Sequence, residues 1–373
     1  MKKNTQAPRY ISPLIAMMLF FLLFLCALSS CELQSLTNPQ GTTTDSNTVL
    51  KPLEVTTTGI ENPSLTEATT TQATTAQTTT MPPTTTAAPI LYFNPLTGLP
   101  CEGAMSSKRP IALSVKEATG EQIGMADIVA EAPTEAAATR LALIGNSHTA
   151  ILSSVTLAST RPYLAALAND LFAISVYHGT SDTGKLSTSF LYDTIDTKIT
   201  PIESTSDALM HTIAASGYQQ SIAGGIALPY TISGIGETVK PNKLSSTYIS
   251  VPYSDTAVTT FTYDALAKSY TMRTCTALSG GAALPTFSNI LILFHDATLR
   301  VTKDGNELTL DTDIGGSGYY ISQGGVMPIT WRRDTATSRL ILADEYNIPL
   351  KINRGKTYIG MTTFAYREKL ILN

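Results

Sequence analysis

Charge is the scarcest commodity in this chain of 373 residues: Asp, Glu, Lys and Arg together make up only 14% of it, against roughly a quarter in soluble domains. The 25 Lys and Arg face 29 Asp and Glu, giving a formal net charge of -4. No cationic surplus is left to neutralise phosphates, so a nucleic-acid partner is excluded. Cysteine is also sparse. Four Cys, at 26, 31, 101 and 275, cannot build a disulfide scaffold, and none of them forms the close pairs of zinc knuckles or redox motifs. The four His, at 148, 178, 211 and 295, lack the spacing of metal ligands. No metal or cofactor is expected. No Ser stands three residues before a Lys, and Gly-x-Ser-x-Gly is missing, which removes two common acyl-transfer signatures. Gly179-Thr180-Ser181-Asp182-Thr183-Gly184-Lys185 mimics a phosphate-binding loop, but Leu186 stands where a magnesium-holding Ser or Thr is required, so no nucleotide is expected.

The N-terminus carries an address. Lys2, Lys3 and Arg9 precede an uncharged apolar run from Ile11 to about Leu28, the plan of a secretory signal. Small residues then lead through Leu28-Ser29-Ser30 directly into Cys31, which resembles the lipobox of bacterial lipoproteins. That resemblance implies a signal peptide over 1–31, lipidation of Cys31 and cleavage just before it. The alternative is an uncleaved membrane anchor, since the run is about long enough to span a bilayer. Both readings put the bulk of the chain outside, on the outer face of the bacterial cytoplasmic membrane, because the only cationic flank is N-terminal. Residues 32–90 are dominated by Thr, with runs such as 42–44, 69–71 and 84–86. Such a segment holds too few large apolar side chains to offset the entropy of ordering, and reads as a disordered tether with an end-to-end distance of about 40 Å.

Folded composition begins near Leu91. Strands are read at 111–115, 139–145, 151–155 and 171–177, with helices at 162–169 and 207–216, the latter capped by Ser206 and stopped by Gly217. From about Ser246 short alternating runs take over, at 258–263, 289–295, 308–310, 318–322 and 326–331, and Asp304-Gly305 reads as a hairpin turn. The fold class is α+β: a mixed α/β N-terminal domain over 91–240, followed by a mostly antiparallel β domain over 246–366.

Several short stations occur in a fixed order. They are Asn94-Pro95-Leu96-Thr97-Gly98-Leu99-Pro100, Ala126-Asp127-Ile128-Val129-Ala130-Glu131 with Thr139-Arg140, and Ser159-Thr160-Arg161-Pro162-Tyr163. They continue with Val251-Pro252-Tyr253-Ser254, Tyr263-Asp264, Gly316-Ser317-Gly318-Tyr319 with Trp331, and Ile352-Asn353-Arg354-Gly355-Lys356-Thr357. In this order they resemble the YerB-like bacterial lipoproteins, a two-part domain of unknown function, over most of 92–365. The resemblance implies a surface lipoprotein and no nameable reaction. The chain departs from that pattern where Ala137-Ala138 replaces the usual Gly-Gly and Ala158 a usual Arg. An Arg near the position of Gln122 and a His-Asn stretch after the first half are also missing.

The polar residues left to carry function are Glu131, Glu135, Arg140, Arg161 and His178, with Tyr163 and Tyr177 close in sequence. Two guanidinium groups can grip a carboxylate or phosphate in a forked contact, so Glu131, Glu135, Arg140, Arg161, Tyr163 and His178 form a candidate ligand-binding cleft. An Arg–Glu network tying the domain together is the competing reading. The function expected is a non-catalytic binding module for peptidoglycan or an envelope protein. The alternative is a cell-wall or glycan hydrolase using Glu131 or Glu135 with His178, which requires two carboxylates facing each other at a fixed separation. Cys101 and Cys275 read as buried thiols or as a disulfide, and the single Trp331 as core.

Overall fold

The computed structural model describes residues 91–373 except 136, 148–154, 180–192, 198–205, 223–224, 303–304, 336 and 338. The signal segment, Cys31, the Thr-rich tether, His148, most of the strand expected at 151–155, most of the loop at 179–185, and Asp304 lie outside the described residues.

Asn289–His295 is buried at every position, the signature of a strand covered on both faces. It lies inside the largest sheet. In spatial order that sheet runs Leu340–Asp344, Gly325–Arg333, Gly316–Ser322, Asn289–His295, Thr357–Thr363, Ile128–Pro133, Thr139–Gly145, Ile111–Val115, Ile174–Tyr177 and Thr194–Asp196, with Leu244–Ser245 beside Gly325–Arg333. The joint is Thr357–Thr363. It pairs in parallel with Asn289–His295 on one side and with Ile128–Pro133 on the other, so the last long strand of the chain stitches the two sequence halves into one sheet.

The fold is predominantly β. This corrects the mixed α/β expectation for 91–240: the helices described there are Gly103–Ser106, Gly120–Met125, Pro162–Asp170 and Ser206–Ala215, and they decorate a sheet with both parallel and antiparallel pairs. Individual elements match expectation closely, as at Ile111–Val115, Thr139–Gly145 and Asn289–His295. The hairpin Ala297–Thr302 with Gly305–Leu310 forms with Thr302 opposite Gly305, which places Gly305 in the strand rather than at the turn's centre.

A second sheet of five strands contains Tyr248–Pro252, Val258–Asp264 and Ser269–Thr274, edged by Thr286–Phe287 and Ile371–Leu372. Along Val258–Asp264 the buried positions Thr259 and Phe261 alternate with half-buried ones, as in a sheet with one face on a core. That inner face, with Tyr253, Phe261, Tyr270 and Phe287, packs against Val129, Ile290, Ile292 and Tyr358 of the large sheet. The opposite face of the large sheet, with Ala130, Ala132, Ala142 and Leu291, is covered by helix Pro162–Asp170 through Tyr163, Leu164, Leu167 and Ala168. Each fully buried Leu contributes about 1.5–3 kcal/mol. The far end of the helix is tied down by an ion pair from Arg333 to Asp170 at 2.6 Å.

The recurring stations of the sequence interlock. The Asn94 side chain accepts from the Leu96 N–H at 2.9 Å, and the loop turns at Gly98, whose φ of +66° and 2.8 Å clearance from Ile232 leave no room for a Cβ. Arg354 donates to the Gly98 carbonyl, and the Gly355 N–H donates to that of Thr97 at 2.8 Å. Further along, the Thr357 N–H donates to the Asp127 carbonyl at 3.1 Å.

Candidate functional site

Strand alternation decides which candidates can meet. In Ile128–Pro133 side chains point alternately to the two faces: Val129 faces the five-stranded sheet, whereas Ala130 and Ala132 face helix Pro162–Asp170. Glu131 shares the face of Val129 and is fully buried. Arg140 lies directly opposite Ala132 in the ladder and therefore belongs to the other face, with Tyr163. The sheet itself separates Glu131 from the arginines.

On its own face Glu131 is the hub of a sealed network. The Tyr358 hydroxyl donates to its Oε2 at 2.5 Å, the Thr259 hydroxyl to the same oxygen at 2.7 Å, and the Cys275 thiol to Oε1 at 3.4 Å. Tyr253 completes the chain through its hydroxyl contact with Tyr358 at 2.5 Å. Burial pushes the Glu131 carboxyl above its ordinary range, opposed by the Tyr358 and Thr259 hydrogen bonds. The same burial holds the Tyr253 and Tyr358 hydroxyls well above theirs. Among the described residues no cation reaches this network, and Gly360, paired with Glu131 in register, leaves the room the Tyr253 hydroxyl needs: a Cβ there would stand 2.6 Å from it. Glu131 thus leaves the cleft in which it was expected and becomes a core residue. A pair of carboxylates facing each other across a groove does not form from Glu131 and Glu135.

Glu135, Arg140, Arg161 and Tyr163 do come together. Arg161 opens helix Pro162–Asp170 as its N-cap without a side-chain cap hydrogen bond, and its guanidinium is paired with Glu135 Oε1. The two side chains are 15% and 24% exposed, so the group lies at the protein's rim rather than in its core. The Tyr163 hydroxyl donates to the Pro133 carbonyl at 2.6 Å, fixing the helix start against the strand end. Arg140 is close enough to feel both Arg161 and Glu135; burial first, and the Arg161 charge second, lower its pKa. Several polar atoms here are buried and make no hydrogen bond: Arg140 Nε and Nη1, Arg161 Nε and Glu135 Oε2. Buried donors are ordinarily satisfied, and leaving one unmet costs about 1–3 kcal/mol.

His178 does not join them. It follows Ile174–Tyr177, is exposed, and its Nδ1 lies 2.9 Å from the Thr197 hydroxyl. Cys101 and Cys275 are free thiols. Trp331 is buried, donates to the Phe294 carbonyl at 3.0 Å and lies against His295 with ring centroids 4.3 Å apart. Sequence reasoning missed this His295, which is 2% exposed. It also missed Tyr253, Tyr358 and Cys275 as partners of Glu131, although Tyr253 stood in one of the recurring stations. Among the described residues no group of His, Cys, Asp and Glu is placed to hold a metal ion, and no helix is long and apolar enough to cross a membrane.

The fold is thus a two-part, predominantly β domain whose halves share one sheet and whose polar rim carries two arginines. Residues 96–216 match the model described as protein of unknown function (DUF3048) N-terminal domain, and residues 249–359 match its C-terminal counterpart; the chain belongs to this YerB-like family. The crystal structure of YerB protein from Bacillus subtilis is similar, with a TM-score of 0.57 and 20% sequence identity, covering 75% of this chain and 99% of that one. Among curated proteins none matches.

Proposed function

We propose that this protein is an extracytoplasmic lipoprotein, held to the outer face of the bacterial cytoplasmic membrane by lipid on Cys31. On this reading residues 32–90 act as a tether, and the folded part binds an anionic cell-envelope ligand without catalysing a reaction. One observation supports the binding reading: the cluster of Arg140, Arg161 and Glu135 holds three buried guanidinium nitrogens that meet no acceptor among the described residues. A pair of like charges with unmet donors is unfavourable unless an anion completes it. Pairing of Arg161 with Glu135 satisfies part of the competing network reading and leaves Arg140 unexplained.

The test is sedimentation of the full-length protein, in nonionic detergent, with insoluble peptidoglycan, followed by mass spectrometry of the supernatant. Pelleting that Arg140→Gln abolishes supports the proposal. Soluble fragments released by the wild type would overturn its non-catalytic part. An absence of pelleting would move the search to an envelope protein as the partner.

A further inference from the structure

Helix Pro162–Asp170 starts at the rim cluster and ends at a cavity that shares none of that cluster's residues. The cavity has a volume of about 300 Å³, and its lining includes Asn169, Phe172, Arg109, Asp193 and Arg339. That is the lower end of the range for small-molecule pockets, with room for one molecule the size of a monosaccharide.

The helix closes in a Schellman motif: the Phe172 N–H donates to the Asn169 carbonyl at 2.9 Å and the Ala173 N–H to that of Ala168 at 2.8 Å. Glycine is the usual residue at the left-handed position of this motif, yet here Phe172 holds a φ of +60°. Side chains kept in so strained a conformation cluster at functional sites. Two contacts make use of this one. The Phe172 carbonyl accepts from Arg109 Nε at 2.8 Å, and the Arg339 guanidinium lies over the Phe172 ring, 4.2 Å from its centroid.

The two arginines differ in what they have left to give. Arg109 is 8% exposed and committed, since it also pairs with Asp193 Oδ2 at 2.6 Å. Arg339 is half-buried, and its side chain bonds no acceptor among the described residues. Asp170 feels its charge, but both Asp170 oxygens are taken by Arg333 at 2.6 Å. Stacking on a ring occupies the face of a guanidinium and leaves its in-plane N–H groups, which match two oxygens of one carboxylate or phosphate. In the same cavity stand the Asn169 amide, which has no side-chain partner among the described residues, and Asp193 Oδ1, left over from the Arg109 pair. Hydroxyl groups satisfy an amide and a carboxylate oxygen of this kind.

We propose that this cavity is a binding site, separate from the rim cluster, for a small oxyanion that also carries hydroxyl groups, either a sugar carboxylate or a sugar phosphate. Arg339 grips the anionic group, and Asn169 and Asp193 take the hydroxyls. Phe172 is a positioning residue: its ring holds the Arg339 guanidinium in place.

The test is isothermal titration of the full-length protein, in nonionic detergent, with glucuronate, glucose 6-phosphate, glucose and acetate. At least one of the two sugar acids is expected to bind about tenfold more tightly than glucose or acetate, the scale of one charge-assisted hydrogen bond. The tighter of the two names the source. Arg339→Gln is expected to bring that acid down to the affinity of glucose. Phe172→Gly relieves the left-handed strain and keeps the fold, yet is expected to weaken the acid several-fold, whereas Phe172→Tyr retains the ring and should bind as the wild type does. Equal binding of the acids and glucose, acid affinity that survives Arg339→Gln, or no binding of any titrant would overturn the proposal. Wild-type affinity in Phe172→Gly would overturn the positioning role. Trp331 fluorescence checks the fold of each variant, and should Arg339→Gln not fold, the contrast between Phe172→Gly and Phe172→Tyr decides.

Discussion

Tyr358 donates its hydroxyl to Glu131 Oε2 across 227 residues of sequence, from the neighbouring parallel strand of the same sheet. This bond and those from Thr259 and Cys275 hold a carboxyl group in a core where no cation among the described residues reaches it, and so make the joint between the two halves dependent on that group's protonation.

The Glu131 pKa is raised in the folded protein, so its contribution to stability is full below the unfolded value and is lost as pH rises through the folded one. Denaturant titrations over a series of pH values should show stability falling with rising pH in that window for the wild type, and a flatter profile for Glu131→Gln. A profile that Glu131→Gln leaves unchanged would refute the assignment. Tyr358→Phe should destabilise the protein by about 1–3 kcal/mol, because Oε2 then keeps only the Thr259 donor.

His295 behaves in the opposite sense. Its Nδ1 donates to the Asp311 carbonyl at 2.8 Å, its Nε2 is buried without a partner, and burial pulls its pKa down to about 4. A lowered pKa means that stability is present above the unfolded value of 6.5 and drains away as pH falls toward about 4, an amount of about 3 kcal/mol at 1.36 kcal/mol per unit. Trp331, the single tryptophan, stacks on this ring and offers an intrinsic fluorescence probe. Acid unfolding followed by that fluorescence should be markedly weaker between pH 6.5 and 4 in His295→Gln.

Ala137 adopts a φ of +54° in the turn between Ile128–Pro133 and Thr139–Gly145. A Cβ in that left-handed region is strained by about 1–2 kcal/mol, partly offset by the backbone freedom that glycine loses on folding. Ala137→Gly should therefore stabilise the fold by about 0.5–1 kcal/mol, read as a raised thermal midpoint. A lowered midpoint would show that the turn is held by something other than its own backbone.

Lipid attachment makes a prediction of its own. Protein expressed in a bacterial host should partition into the detergent phase of a temperature-induced phase separation and incorporate labelled palmitate. Cys31→Ser should do neither. Palmitate incorporation that survives Cys31→Ser would refute the lipobox reading.

Strands buried on both faces were legible where the residues repeat β-branched or aliphatic side chains, as in Ile111–Val115 and Asn289–His295. The two strands that join the halves were not. Ile128–Pro133 contains a glutamate and ends in proline, and Thr357–Thr363 contains a glycine at its centre; none of these residues favours a central strand by propensity. Their reasons are tertiary: the carboxyl serves distant hydroxyls, and the glycine makes room for the Tyr253 hydroxyl. The arginines were legible as candidates because a guanidinium at a helix start and another beside a strand are unusual in so weakly charged a chain.

By itself the sequence determined several of the long strands, among them Ile111–Val115, Thr139–Gly145 and Asn289–His295, and it supports the secretory address and Thr-rich tether proposed above, because these depend on composition and on periodicities within a few residues. Only the tertiary structure decided that Glu131 and Arg140 lie on opposite faces of one sheet. Adjacent strands fix facing through register, and a shift of one residue would have exchanged the core hub for a cleft residue.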